Sequence, residues 1–141
     1  RVLFRSMTMA RANDPPPKRA LGAKQQAERQ GRLAEWSACI CLLCKCYRIV
    51  GRRVKTPLGE IDLIAKSPGG LICFIEVKAR PSQDEAAQSI SPKQWGRIVR
   101  AAELYLGKRP QLRHNGVRFD AILVAPGRWP RHVRDAWRPG S

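Results

Sequence analysis

The sequence predicts an α/β protein, a mixed sheet flanked by helices, and three observations carry that prediction. A helical pattern runs from near Ala23 to about Cys46. Three strand-like runs broken by Pro and Gly follow it, and a capped helix then leads into a fourth strand. A chain of 141 residues suits one domain rather than two, and 43% apolar residues supply enough material for a core.

The elements follow in order. Up to about Gln30 the chain is polar, basic and punctuated by Pro15-Pro16-Pro17, so residues 1–22 are expected to form a mobile arm. The first helix is apolar nearly all round from Trp36 onward, which predicts burial on several sides. Tyr47 to Lys55 is rich in Val, Ile and Tyr, and Pro57 with Gly59 separates it from Glu60 to Ala65. Ser67-Pro68-Gly69-Gly70 marks a tight turn before Leu71 to Lys78, so the three strands form an antiparallel meander. Ser91 reads as an N-cap with Pro92 at the first position of a helix that runs to about Leu106. Val117 to Ala125 is a fourth strand, and a strand, a helix and a strand in succession predict a parallel crossover. Residues 23–125 thus make the domain, and 126–141 a basic tail with at most a short helix around His132 to Trp137.

Charge speaks to partners. Lys and Arg number 27 against 11 Asp and Glu, a formal net charge of +16, and a surface of that sign attracts a polyanion such as DNA. No apolar run approaches the roughly 20 residues of a membrane span, so a transmembrane protein is not expected. Arg1-Val2-Leu3-Phe4-Arg5 is too short an apolar opening for a secretion signal. The chain opens at Arg1, with Met7 and Met9 as alternative starts.

The carboxylates in the strands are the chemical signal. In Leu71 to Lys78 the alternation of a strand sets Leu71, Cys73, Ile75 and Val77 on one face and Ile72, Phe74, Glu76 and Lys78 on the other. Glu76 and Lys78 therefore end an apolar face, and Asp62 breaks the apolar run of the preceding strand in the same way. Burying either charge alone is costly. Paired across the turn, Asp62 and Glu76 would repel each other unless a divalent cation relieved them, and hard oxygen donors suit magnesium or manganese. Lys78 projects from the same face and can stabilise negative charge as it develops. On these residues alone, Glu76 and Lys78 read equally well as an exposed pair on one strand face.

Asp62 followed by Glu76-Val77-Lys78 resembles the D…ExK signature of the PD-(D/E)XK nucleases, whose restriction-endonuclease-like core runs αβββαβ. More narrowly, Gly59-Glu60-Ile61-Asp62-Leu63-Ile64-Ala65, Phe74 to Arg80, Ser91-Pro92-Lys93 and Arg118-Phe119-Asp120 resemble the YraN-like family of bacterial predicted endonucleases. The match spans roughly Gly31 to Ala125, and the chain is also similar to archaeal Holliday-junction resolvases. The resemblance implies a magnesium- or manganese-dependent DNA endonuclease in the cytoplasm, with branched or damaged DNA as substrate class and a homodimer left open. It implies Asp62 and Glu76 as metal-binding carboxylates, Lys78 as catalytic lysine, the Val77 carbonyl as a further metal ligand and Glu35 as the first-helix glutamate that supports the metal. Lys93 falls where related enzymes place a polar residue near the site. The motifs depart at Ala34, where the family usually has glycine before the glutamate, and after Arg80, where a Phe-Gly pair is absent.

The remaining signals are weaker. Glu60 is an accessory candidate that reads more simply as a solvent-facing residue, and Arg52, Arg53, Lys55, Arg80 and Arg97 are candidate DNA contacts. Asp120 reads as structural, paired with Arg118. Cys39, Cys41, Cys44 and Cys46 resemble a metal motif, but at about 100° per residue two thiols point one way and two the other, so they read as small buried residues. With Cys73 the count is odd, which suits a reduced compartment. His114 and His132 stand isolated in the sequence and match no triad or zinc spacing. Trp129 and Trp137 lie among Arg128, Arg131, Arg134 and Arg138, and either stack on exposed bases or, the favoured reading, dock the tail. The competing functional class is a non-catalytic nucleic-acid-binding or accessory protein that keeps the fold. A ribosome-associated basic protein would explain neither Asp62 nor Glu76.

Overall fold

Alternation of apolar side chains and turn chemistry at the expected places produce one five-stranded sheet. In the computed structural model, residues 18–140 are described, with side chains from residue 22 onward. Most of the expected arm, residues 1–17, lies outside them. Helix α1 (Lys18–Cys44) leads into β1 (Arg48–Thr56), β2 (Gly59–Lys66) and β3 (Ile72–Ala79). Helices α2 (Gln83–Gln88) and α3 (Pro92–Gly107) follow, then a 3₁₀ turn, β4 (Val117–Val124) and β5 (Arg131–Trp137). The strands lie in the order β1-β2-β3-β4-β5, antiparallel except for the parallel β3–β4 pair. The fold is therefore α/β with a mixed sheet flanked by helices. Its helix, three strands, helix and strand stand in the expected order.

Each face of the sheet buries its own apolar layer. On one face Ile64, Ile72, Phe74 and Phe119 pack under Trp95, Ile98 and Tyr105 of α3. On the other, Leu63, Ala65, Ile75 and Ile122 pack under Ala38, Cys39 and Leu42 of α1. The expected split of β3 holds, with Cys73 and Ile75 on the α1 side and Ile72 and Phe74 on the α3 side. The Ser91 hydroxyl accepts from the Gln94 N–H at 3.1 Å and starts α3 as predicted.

Four expectations change. First, α1 begins at Lys18 rather than near Ala23. Second, α1 is buried on one side only: Leu33, Trp36, Ile40 and Leu43 are exposed, because the sheet covers one flank and no described element covers the other. Third, α2 was not expected; Ser82 caps it through the Glu85 N–H. Fourth, His132 to Trp137 is a strand, not a helix. Half-buried positions at 132–133 and 136–137 mimic a helical spacing, but β5 pairs with the open edge of β4, and its register shifts between Phe119↔Trp137 and Ala121↔Val133. Among the described residues no helix is long and apolar enough to cross a membrane.

Candidate active site

The pairing of β2 with β3 brings the two strand carboxylates together. Its last pair is Leu63↔Ile75, so one further step sets Asp62 opposite Glu76. There the ladder gives way to a side chain: Asp62 Oδ2 accepts the Val77 N–H at 2.9 Å. Glu76 is buried, and its Oε1 accepts from Gln94 Nε2 at 2.8 Å and stands 3.4 Å from Lys78 Nζ. Asp62 and Glu76 share a hydrogen bond. Burial, then the charge of Asp62, pushes the Glu76 carboxyl up to about 8, against the pull of Lys78. Burial also raises Asp62, with the Val77 N–H opposing it and the charge of Glu35 adding to it. Both carboxyls are thus raised, and the pair shares a proton near neutrality.

Asp62, Glu76, Val77 and Lys78 line one cleft of about 350 Å³, closed on its other side by Gln30, Gly31, Ala34 and Glu35 of α1. Ala34 is buried in this wall. Glu35 is in the cleft, yet both its oxygens accept from Arg53 Nε, at 2.9 and 2.7 Å. Arg53 lies in β1 with φ at 47°, a left-handed conformation that costs a non-glycine residue roughly 1–2 kcal/mol. Among the described residues no three Asp, Glu, His or Cys side chains group to hold a metal ion. The donor set that remains is Asp62, Glu76 and the Val77 carbonyl, which leaves room for water. That set fits magnesium, which keeps several waters and takes one or two carboxylates.

The other sequence candidates fall as follows. Lys93 is exposed and its neighbour Gln94 makes the contact with Glu76. Glu60 is exposed in β2 opposite Lys55 and adds charge beside Arg53. Arg52 lies 4.5 Å over the Trp36 ring. Arg80 reaches the cleft, while Arg97 is an exposed residue of α3. Cys39, Cys41 and Cys73 are buried as expected, whereas Cys44 and Cys46 are exposed because α1 ends at Cys44. His114 is exposed.

His132 is not isolated, a second correction to the tail. Asp120, fully buried, accepts from Arg118 Nε at 2.7 Å, from Arg118 Nη2 at 2.8 Å and from the Asp135 N–H at 2.9 Å. His132 Nε2 lies 2.8 Å from Asp120 Oδ2, and its Nδ1 lies 2.9 Å from Lys45 Nζ. Burial alone would raise the Asp120 carboxyl, but these hydrogen bonds outweigh it and hold it at about 2. The structural role expected of Asp120 stands, with more partners than the sequence suggested.

The fold and site define a class: an α/β protein whose mixed sheet carries a carboxylate pair, Glu76 buried and Asp62 half-buried, and a lysine in a cleft beside its first helix. The chain belongs to the uncharacterised protein family UPF0102, whose model matches residues 34–124 and so includes Glu35, Asp62, Glu76 and Lys78. It is 51% identical over 119 residues to a UPF0102 protein of Maricaulis maris, covering 84% of this chain and 93% of that one. A Paramagnetospirillum magneticum relative is 46% identical over 130 residues, covering 89% and 98%. One from Parvibaculum lavamentivorans is 48% identical over 113 residues, covering 80% and 84%.

Proposed function

We propose that this protein is a metal-dependent DNA endonuclease of the PD-(D/E)XK superfamily that hydrolyses phosphodiester bonds, with branched or damaged DNA as its substrate class. One observation carries the reading: two carboxyl groups, Glu76 buried and Asp62 half-buried, are hydrogen-bonded to each other and open onto a cleft with a lysine 3.4 Å from Glu76. Asp62, Glu76 and the Val77 carbonyl would hold magnesium or manganese. When bound, such a cation screens phosphate charge and lowers the pKa of a water molecule.

The chain's own residues do the rest. Val77 N–H fixes Asp62 Oδ2 and Gln94 fixes Glu76 Oε1, so both carboxyls are oriented before substrate arrives. Burial leaves the pair short of solvation, which favours exchange of the shared proton for a cation. Lys78, with a side chain 19% exposed, faces the cleft and stabilises negative charge that develops on the phosphate. The +16 net charge draws the polyanion in.

The test is incubation with flapped, branched and linear DNAs, with magnesium or with chelator. Cleavage in magnesium alone is expected, and Lys78→Ala should slow it by about 100-fold while DNA binding persists. Binding without cleavage of any of these DNAs would favour the non-catalytic reading.

A further inference from the structure

We propose that a groove beside the Asp62–Glu76 cleft holds an unpaired stretch of DNA, so that the bond to be cut adjoins single-stranded nucleotides. The inference rests on the nuclease reading and adds the form of the substrate. The groove, about 670 Å³, lies between α1, the end of β3 and the turn from β4 to β5. That is within the range of ligand sites, roughly 300–1,000 Å³. It continues the cleft directly, since Gln30, Ala34, Ala79 and Arg80 line both.

Its lining selects the occupant. Leu33, 60% exposed, joins Pro81 and Pro126 in an apolar surface, with Arg80 and Arg128 as the cationic groups. Neither arginine has an acidic partner among the described residues. An apolar surface flanked by cations fits a chain that is anionic along its backbone and flat and apolar on its bases. Duplex DNA stacks its base faces against one another and gains nothing from such a surface; unpaired bases expose them.

Trp129, next to Arg128 in the same turn, supplies a platform. It is 64% exposed, its side chain hydrogen-bonds the Cys41 thiol, and its carbonyl accepts from Gln83 Nε2 at 2.9 Å. An indole held in place with its ring open to solvent loses little entropy when a base stacks on it. The second tail tryptophan is differently employed: Trp137 stacks on Trp95, with ring centroids 6.2 Å apart and planes 4° from parallel.

The experiment measures binding apart from cutting. Fluorescence anisotropy in chelator compares a labelled single-stranded oligonucleotide with a duplex of the same length, using the full chain and its Trp129→Ala and Arg128→Gln variants. Each substitution should weaken single-strand binding by about tenfold and leave duplex binding unchanged. Quenching of tryptophan fluorescence by the oligonucleotide should also shrink in Trp129→Ala. Equal affinity of the parent for both DNAs, or variants that weaken both alike, overturns the groove. Preferential single-strand binding through Trp129 with no cleavage of any flap in magnesium would retain the groove and sink the nuclease reading. Equal cleavage of flap and blunt duplex, unaltered by Trp129→Ala, would do the reverse.

Discussion

The shared proton makes Glu76→Gln the most informative single change. Burial and the neighbouring Asp62 raise the Glu76 carboxyl from 4.5 to about 8, and its side chain is only 8% exposed, so solvent screening is slight. The gap corresponds to roughly 5 kcal/mol. The sign is fixed by linkage: a carboxyl whose folded-state pKa is raised holds its proton longer in the folded chain than in the unfolded one. Its contribution is complete below about 4.5 and is lost as pH rises through about 8. Between pH 5.5 and 8.5 the metal-free protein should lose about 3 kcal/mol from this group, on the order of 10 °C in melting temperature for a chain of this size. Glutamine keeps the shape and still accepts from Gln94, but it cannot ionise. Thermal melts in chelator at both pH values test this. The melting temperature of wild type relative to Glu76→Gln should fall by that amount on going from pH 5.5 to 8.5. Manganese at pH 8.5 should restore wild type and leave the variant unmoved. A difference between the two proteins that stays the same at both pH values refutes the shared proton.

Two further changes probe the surroundings. Gln94→Ala removes the donor that orients Glu76 Oε1, so manganese affinity by titration should drop by about tenfold, with the fold retained. Asp120→Asn leaves Arg118 and His132 facing a neutral amide in a fully buried position, and chemical denaturation should show a loss of about 3 kcal/mol. Manganese binding should not change, because Asp120 lies outside the cleft.

Much of the fold was legible because its signals are local. Alternation in Leu71 to Lys78, the turn at Ser67 to Gly70 and the Ser91-Pro92 helix start all act within a few residues. Asp62, Glu76 and Lys78 were legible for a related reason: a charge inside an apolar strand has to be accounted for wherever the strand packs. What was missed is set by distant partners. His132 joins Asp120 only when β5 pairs with β4, and it is the register shift there that turns the Asp135 N–H toward the same carboxylate. Arg53 meets Glu35 across a gap of 18 residues, helped by a left-handed backbone that its sequence neighbours do not announce. Gln94 was passed over for Lys93 because position within a helix turn decides which of two adjacent polar residues reaches the strand. The open apolar flank of α1 was read as buried because periodicity reports an apolar side chain and not whether anything covers it.

The central claim is that Asp62 and Glu76 together hold a divalent cation. Calorimetric titration of the metal-free protein with manganese at pH 7.5 measures it directly, in two buffers of different ionisation enthalpy. The account predicts saturable binding accompanied by release of the proton the pair shares, and loss of both in Asp62→Asn. Heat that is absent in the wild-type protein, or binding that persists unchanged in Asp62→Asn, would contradict it.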